Sequence, residues 1–154
     1  MPRQQGQKLI ADNRRARHDY VLTDRVEAGI VLSGTEVKAL REGQVQLGQA
    51  FAEVRDGELW LVGASIAEWV AGNRQNHVPD RDRKLLLHRR EIDSLYGKVR
   101  EKGLTLVPTR LYFKNGRVKV ELALARGKER ADKRRAIADR DAQRQMERAL
   151  KARR

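Results

Sequence analysis

The chain has no cysteine, so disulfides and thiolate metal sites are excluded and a reducing compartment suits it; the cytoplasm is the expected location. Its three histidines, His18, His77 and His88, fall in no HExxH-type pattern, so no metal is expected. No glycine-rich phosphate loop and no serine nucleophile turn occurs, so neither a cofactor nor a catalytic role is expected. No apolar run approaches the roughly 18 residues a membrane span needs. The opening MPRQQGQKL lacks the apolar stretch of a signal peptide.

What the sequence has in excess is positive charge. Lys and Arg number 34 against 21 Asp and Glu, a formal net charge of +13, and the pI is about 10.7. Such a surplus opposes compaction unless an acidic partner neutralises it, and nucleic acid is the usual one, through phosphate contacts and counterion release. The 154 residues suit one domain with an appendage.

Residues 1–17 are polar and basic, with only Leu9 and Ile10 as large apolar groups, and are expected to form a mobile arm. Strands are expected over 18–23 and 27–32, with Asp24-Arg25 as a short polar connection. Thr35 is placed to cap a helix over 36–41, and Gly43 to end it. The strongest local signals are two alternating runs split by Asp56-Gly57 and two more split by Asn115-Gly116, pairs that favour tight hairpins. In the last of these runs Val118, Val120, Leu122 and Leu124 share one face, and Arg117, Lys119 and Glu121 share the other. A polar loop lies over 71–83, and a helix over 88–102 carries Ile92, Leu95, Tyr96 and Val99 on one face. Pro108 suggests an edge or a bulge in the strand that follows. About six short antiparallel strands with two or three short helices point to a mainly β fold, an OB-like barrel over 18–125. A split sheet with helices on one face is the alternative.

From residue 126 to 154 the composition shifts to twelve Lys or Arg against five Asp or Glu, a net of +7. Ile137, Met146 and Leu150 are its only large apolar groups, too few to offset the entropy of ordering it alone. Good helix formers dominate, so the tail is expected to be disordered when free and helical on a suitable surface. As a helix it would gather Lys133, Arg140, Arg144, Arg148 and Lys151 on one face beside Ile137. A solvated charged helix, with pairs such as Glu147 and Lys151, is the other reading.

Several separate segments resemble the SsrA-binding protein family, whose members bind transfer-messenger RNA (tmRNA). These are Asn13-Arg14-Arg15-Ala16-Arg17-His18-Asp19-Tyr20, Glu27-Ala28-Gly29-Ile30, Gly34-Thr35-Glu36-Val37-Lys38, Gly72-Asn73, Asn76-His77, Arg83-Lys84-Leu85-Leu86-Leu87-His88, Leu111-Tyr112-Phe113, Gly116-Arg117-Val118-Lys119-Val120, Gly127-Lys128, Asp132-Lys133-Arg134 and Arg140-Asp141. They span nearly the whole chain in order. The resemblance implies an OB-like barrel that holds the tRNA-like domain of tmRNA, and a monomer. It also implies delivery of that RNA, indirectly with the elongation factor Tu ternary complex, to stalled ribosomes, where the tail enters the 16S rRNA decoding centre and the empty mRNA channel.

Residue roles follow from the same resemblance. Asn13, Arg14, Arg17, His18 and Glu27 are expected on the RNA-contacting surface, although a rim salt bridge is the alternative for Glu27. Lys119 and Lys128 are expected at phosphate or sugar. Lys84, with Arg81 and Arg83, would do likewise or simply form a solvated loop. Asp132, Lys133, Arg134, Ile137, Arg140, Arg144, Arg148 and Lys151 are the expected ribosomal contacts of the tail. Leu85, Leu86 and Leu87 are expected in the core with one exposed at most, Trp60 is expected in the core, and Trp69 either packs or stacks on RNA. The tail departs from the family pattern at Ala131, where an aromatic or histidine is common, and at Ala138; Arg130, Arg134 or Arg135 would then supply guanidinium stacking. A generic OB-type RNA-binding or ribosome-associated protein is the competing reading. A membrane-surface role is not expected, because the tail offers little apolar surface opposite its basic stripe.

Overall fold

The computed structural model describes residues 6–71, 75–127 and 130–152, with residues 130–139 and 152 described by their backbone alone. In chain order the elements are β1 (Gln7–Asp12), α1 (Arg14–Asp19), β2 (Tyr20–Ile30), α2 (Gly34–Arg41), β3 (Val45–Gln46), β4 (Phe51–Arg55), β5 (Glu58–Val62), β6 (Ser65–Ile66), β7 (Arg83–Leu86), α3 (Arg89–Lys102), β8 (Thr105–Lys114), β9 (Arg117–Gly127) and α4 (Arg130–Ala152).

Two hairpins form where the dipeptides place them. Asp56 and Gly57 take φ of 49° and 77°, and Asn115 and Gly116 take 51° and 79°. Both residues of each turn are left-handed, as the two-residue turn that matches strand twist requires. The strands close on themselves: β8, β4, β5, β7, β2 and β9 follow one another around a ring, and β9 returns to β8. All these pairings are antiparallel. The result is the expected six-stranded OB-like barrel, with β3 and β6 paired separately.

Two bulges shape one wall of the barrel. The strands expected over 18–23 and 27–32 merge into a single strand, β2, from Tyr20 to Ile30, with His18 and Asp19 in α1 instead, a register shift between Thr23 and Val26, and Asp24 at φ 50°. The extra residue reverses the alternation, so Tyr20 and Leu22 pack outside the barrel while Val26, Ala28 and Ile30 pack inside. In β8 a second shift falls between Pro108 and Arg110, where the proline signals it, and Arg110 and Tyr112 come to face outward opposite Glu121 and Lys119.

The N-terminal stretch differs from the expected mobile arm. β1 pairs along β8 from Arg110 to Lys114, satisfying the edge that β4, which meets β8 only at Leu106, leaves open. Ile10 and Ala11 add to the core. α1 follows and seats Ala16 against Val107, Ala125, Tyr20 and Leu22 on the barrel's outer surface.

Inside, Leu40, Leu59, Leu61, Leu85, Leu111, Val120, Leu122 and Leu124 are all but fully buried, and α3 contributes Ile92 and Leu95. Each such leucine adds roughly 1.5–3 kcal/mol of burial. The helix α2 begins at Ser33, not at the expected Thr35 cap. Ser33 and Glu36 satisfy each other's backbone N–H groups in a capping box, which leaves the Thr35 hydroxyl 2.9 Å from His77 Nδ1. Glu36 and Arg83 are both fully buried. Arg83 Nε donates to Glu36 at 2.5 Å, and its two terminal nitrogens donate to the carbonyls of Ala64 and Pro79 at 2.8 and 2.9 Å. Arg81 also donates to Glu36. Burial would raise the Glu36 carboxyl, but the Ser33 amide and the two arginines outweigh it and hold it at about 2. This knot fastens the loop before β7 to α2.

Candidate nucleic-acid interface

The wall formed by β2, β9 and β8 turns a charged face outward. Alternation on β9 buries Val118, Val120, Leu122 and Leu124 and leaves Lys119 and Glu121 outside. The register sets Glu27 opposite Glu121, Gly29 opposite Lys119, and Lys119 opposite Tyr112. Two carboxylates directly opposite would repel, and each is turned to different cations. Glu121 receives Arg25 and Arg110, while Glu27 receives the Tyr112 hydroxyl at 2.5 Å and Lys114 Nζ at 3.3 Å.

The electrostatics of Glu27 follow from these partners. The hydrogen bond from Tyr112 lowers its carboxyl below the ordinary range against a modest burial penalty, and Lys114 and Lys119 lower it further. Burial and the neighbouring Glu27 carboxylate push the Tyr112 hydroxyl upward, so it remains a donor. Glu27 is therefore an anion held by Tyr112 at one oxygen and by Lys114 at both, with its side chain 34% exposed. Arg110 lies over the Tyr112 ring, 5.4 Å from its centre. Among the described residues, the Lys119 side chain makes no hydrogen bond or ion pair and acts on Glu27 through its charge.

The helix α1 stands on the same wall. Arg14, Arg17 and His18 are exposed on it. Arg17 pairs with Asp12, and His18 Nδ1 lies 2.9 Å from Asp19. Asn13 does not join them. It is buried, its Oδ1 accepts from the Ala16 amide, and its Nδ2 donates to the carbonyls of Leu47 and Pro108. Its amide caps α1 and holds the carbonyl at the β8 bulge, which places it beneath the surface of the wall.

Lys84 lies on β7, the strand next to β2, and pairs with Glu58 at 3.1 Å beside Trp60. The expected basic cluster around it is broken up, because Arg83 points inward into the Glu36 knot and Arg81 joins it there. Of the three leucines, Leu85 is core and Leu86 is 50% exposed, packed against Gly29, where an added Cβ would come within 3.2 Å of it. Trp60 and Trp69 are half-buried, and Asn76 clamps the backbone of Trp69 at its amide and its carbonyl.

Sequence reasoning missed Arg25, Arg110 and Lys114 as parts of the face. The alternation that placed Lys119 and Glu121 outside was visible in β9, but the two bulges hide the outward direction of Arg25 and Arg110 from any period-two count.

The basic tail is drawn as α4. Arg140, Arg144, Arg148 and Lys151 are exposed along it, as are Met146 and Leu150. Asp132, Lys133, Arg134 and Ile137 lie on the helix, and Lys128 lies outside the described residues. The part of the expectation that made this segment helical has its counterpart here. Among the described residues no His, Asp and Glu side chains cluster to hold a metal, and no helix is long and apolar enough to cross a membrane.

Residues 10–152 match the family model described as SmpB protein. The SsrA-binding protein of Parafrankia sp. is 59% identical over 150 residues, covering 97% of this chain and 95% of that one. The SsrA-binding protein of Acidothermus cellulolyticus is 59% identical over 150 residues, covering 97% and 94%. Among solved structures, a chain from "tmRNA-SmpB: a journey to the center of the bacterial ribosome" is similar with a TM-score of 0.66 and 51% identity, over 82% of this chain and 93% of that one.

Proposed function

The chain belongs to the SmpB protein family, and from that premise we propose that it acts in bacterial trans-translation as a binding protein, not a catalyst. It binds the tRNA-like domain of tmRNA and brings it to stalled ribosomes in the cytoplasm. The barrel and the helix have separate tasks. The outer wall of β2, β9 and β8, with Arg14, Arg17 and His18 of α1 beside it, holds the folded RNA. α4 occupies the decoding centre and the mRNA channel, disordered until it meets them, with Asp132, Lys133 and Arg134 at its start and Arg140, Arg144, Arg148 and Lys151 along it.

The observation that carries this reading is the fixed arrangement at Glu27. A carboxylate in a basic face repels phosphate, so it has use there only if it accepts from a base or orients a neighbour. Tyr112 and Lys114 hold it in one geometry with part of it open to solvent. Lys119, opposite Gly29 and Tyr112, adds a cation with no other engagement among the described residues. Charge of both signs set on a rigid sheet suits recognition of a shaped RNA, where a pure polycation would grip any strand.

Binding of the full chain and of a chain ending at Gly127 tests this, against the tRNA-like domain, an ordinary tRNA and an unstructured RNA over a range of salt. Truncation there keeps β9 whole, since Tyr20 pairs with Gly127. Selective binding that survives truncation and added salt is the expected result. Unselective, steeply salt-dependent binding that disappears with α4 would make the protein a generic RNA-binding polycation.

A further inference from the structure

We propose that Arg25 and Arg110 form a two-guanidinium clamp for the RNA phosphodiester backbone, and that Glu121 is the positioning residue that holds both of them. The inference rests on the reading of this wall as the RNA-binding face.

The three side chains come from three different segments. Arg25 leaves the β2 bulge, Arg110 follows the β8 bulge, and Glu121 lies on β9 between those strands. Arg25 Nη1 donates to Glu121 Oε1 at 3.0 Å, and Arg110 Nη2 donates to Oε2 at 2.7 Å. The Thr109 hydroxyl donates to Oε1 at 2.8 Å and so fixes the carboxylate itself. Stacking on Tyr112 fixes Arg110 a second time.

Exposure separates the roles. The Glu121 side chain is 15% exposed, while Arg25 is 50% and Arg110 39% exposed. The carboxylate is covered and the guanidinium groups are presented. Each guanidinium has five N–H donors in a planar fork that matches phosphate, and Glu121 takes one from each. Other surface pairs, such as Lys84 with Glu58 and Lys98 with Asp24, match one cation to one acid. Here two cations share one acid, which leaves the spot positive. The same ratio occurs at Glu36, but there Arg83 is fully buried and serves the fold. Fixing long side chains in advance removes an entropy cost that binding would otherwise carry.

The test is titration of the tRNA-like domain with the full chain over a range of salt. The variants are Arg25→Ala, Arg110→Ala and Glu121→Gln, with thermal midpoints measured alongside. Each arginine variant is expected to flatten the slope of log affinity against log salt by about 0.7–0.9, one phosphate contact. Glu121→Gln removes a negative charge from an RNA-facing wall, so charge alone would tighten binding; the positioning role predicts weaker binding. Unchanged slopes in both arginine variants, or tighter binding by Glu121→Gln, would overturn the proposal. If the unaltered chain prefers the tRNA-like domain over ordinary tRNA and Lys119→Ala weakens binding while the clamp variants do not, the clamp fails and the RNA-binding reading stands. If the unaltered chain shows no such preference, that reading has failed first.

Discussion

On the barrel wall Glu27, Lys119 and Glu121 have neighbours fixed by strand register, whereas along α4 the basic residues follow one another at helical spacing. Glu27 meets Tyr112 and Lys114 across strands, and Glu121 holds Arg25 and Arg110. On α4, Arg140, Arg144, Arg148 and Lys151 repeat along an exposed surface. The wall's pattern exists before any partner arrives. An amphipathic helix without tertiary packing is marginal in water, so in the proposed function α4 is ordered by the surface it docks on, while the wall's charges are preset by the sheet.

The largest separation of the two is expected from replacing Asp132, Lys133 and Arg134 together by alanine. Tagging of stalled peptides is lost, while binding of the tRNA-like domain stays within about twofold, as expected if the barrel alone holds that RNA and the two sites act independently. Equal loss of both would erase the distinction and make α4 an RNA-binding arm.

Next is Arg83→Ala, which strips the buried Glu36 carboxylate of its one buried cation and leaves it with Arg81 and the Ser33 amide. The barrel should lose up to about 3 kcal/mol in denaturant unfolding, and the helical signal lost in that transition should be that of the barrel's own helices. A single transition with the whole helical signal would mean the two regions are one cooperative unit. Acid probes the same knot. The folded Glu36 carboxyl lies at about 2, below its ordinary 4.5, so its contribution is fully present above about 4.5 and is lost as pH falls toward about 2. Thermal midpoints across that window should drop for the unaltered chain, and by less for Glu36→Gln measured against its own neutral-pH value.

A smaller effect is expected from Glu27→Ala, which should weaken tmRNA binding roughly tenfold, the scale of one hydrogen bond to a charged group, with little change in the thermal midpoint. A midpoint that falls steeply would show that Glu27 is a structural rim pair. Smallest is Tyr112→Phe. Without the hydroxyl, the lowering of the Glu27 carboxyl loses its main cause, and the pH at which RNA binding weakens in acid should move upward. No movement would mean Glu27 does not act through that bond.

Much of the barrel was legible because its signals are local. Asp56-Gly57 and Asn115-Gly116 mark hairpins, Val118 to Leu124 marks an inward face, and Gly103 marks the end of α3. The failures share one cause: partners distant in sequence. The stretch before residue 18 is polar and gives no sign that β8 will offer it an edge. Arg25 and Arg110 lie beyond bulges that reset the alternation. Arg83 reads as one more surface arginine in a basic loop, and only the approach of Glu36 and the carbonyls of Ala64 and Pro79 makes a buried site for it. Asn13 is buried with its amide on the backbone of α1, Leu47 and Pro108, which the sequence does not reveal, because a helix cap and a surface contact use the same side chain.

The closure of the ring by β2 and β9 has a consequence for how the protein is made. Tyr20 finds its partner at Gly127, and β1 pairs with the far half of β8. Nearly the whole chain must leave the ribosome before the first strands acquire their neighbours, and until then their edges are open to wrong pairings. A synthesis that halts before β9 yields no barrel at all. A protein whose task is to clear interrupted translation is thus itself sensitive to interruption, and its folded form certifies that its own message was read past the last strand.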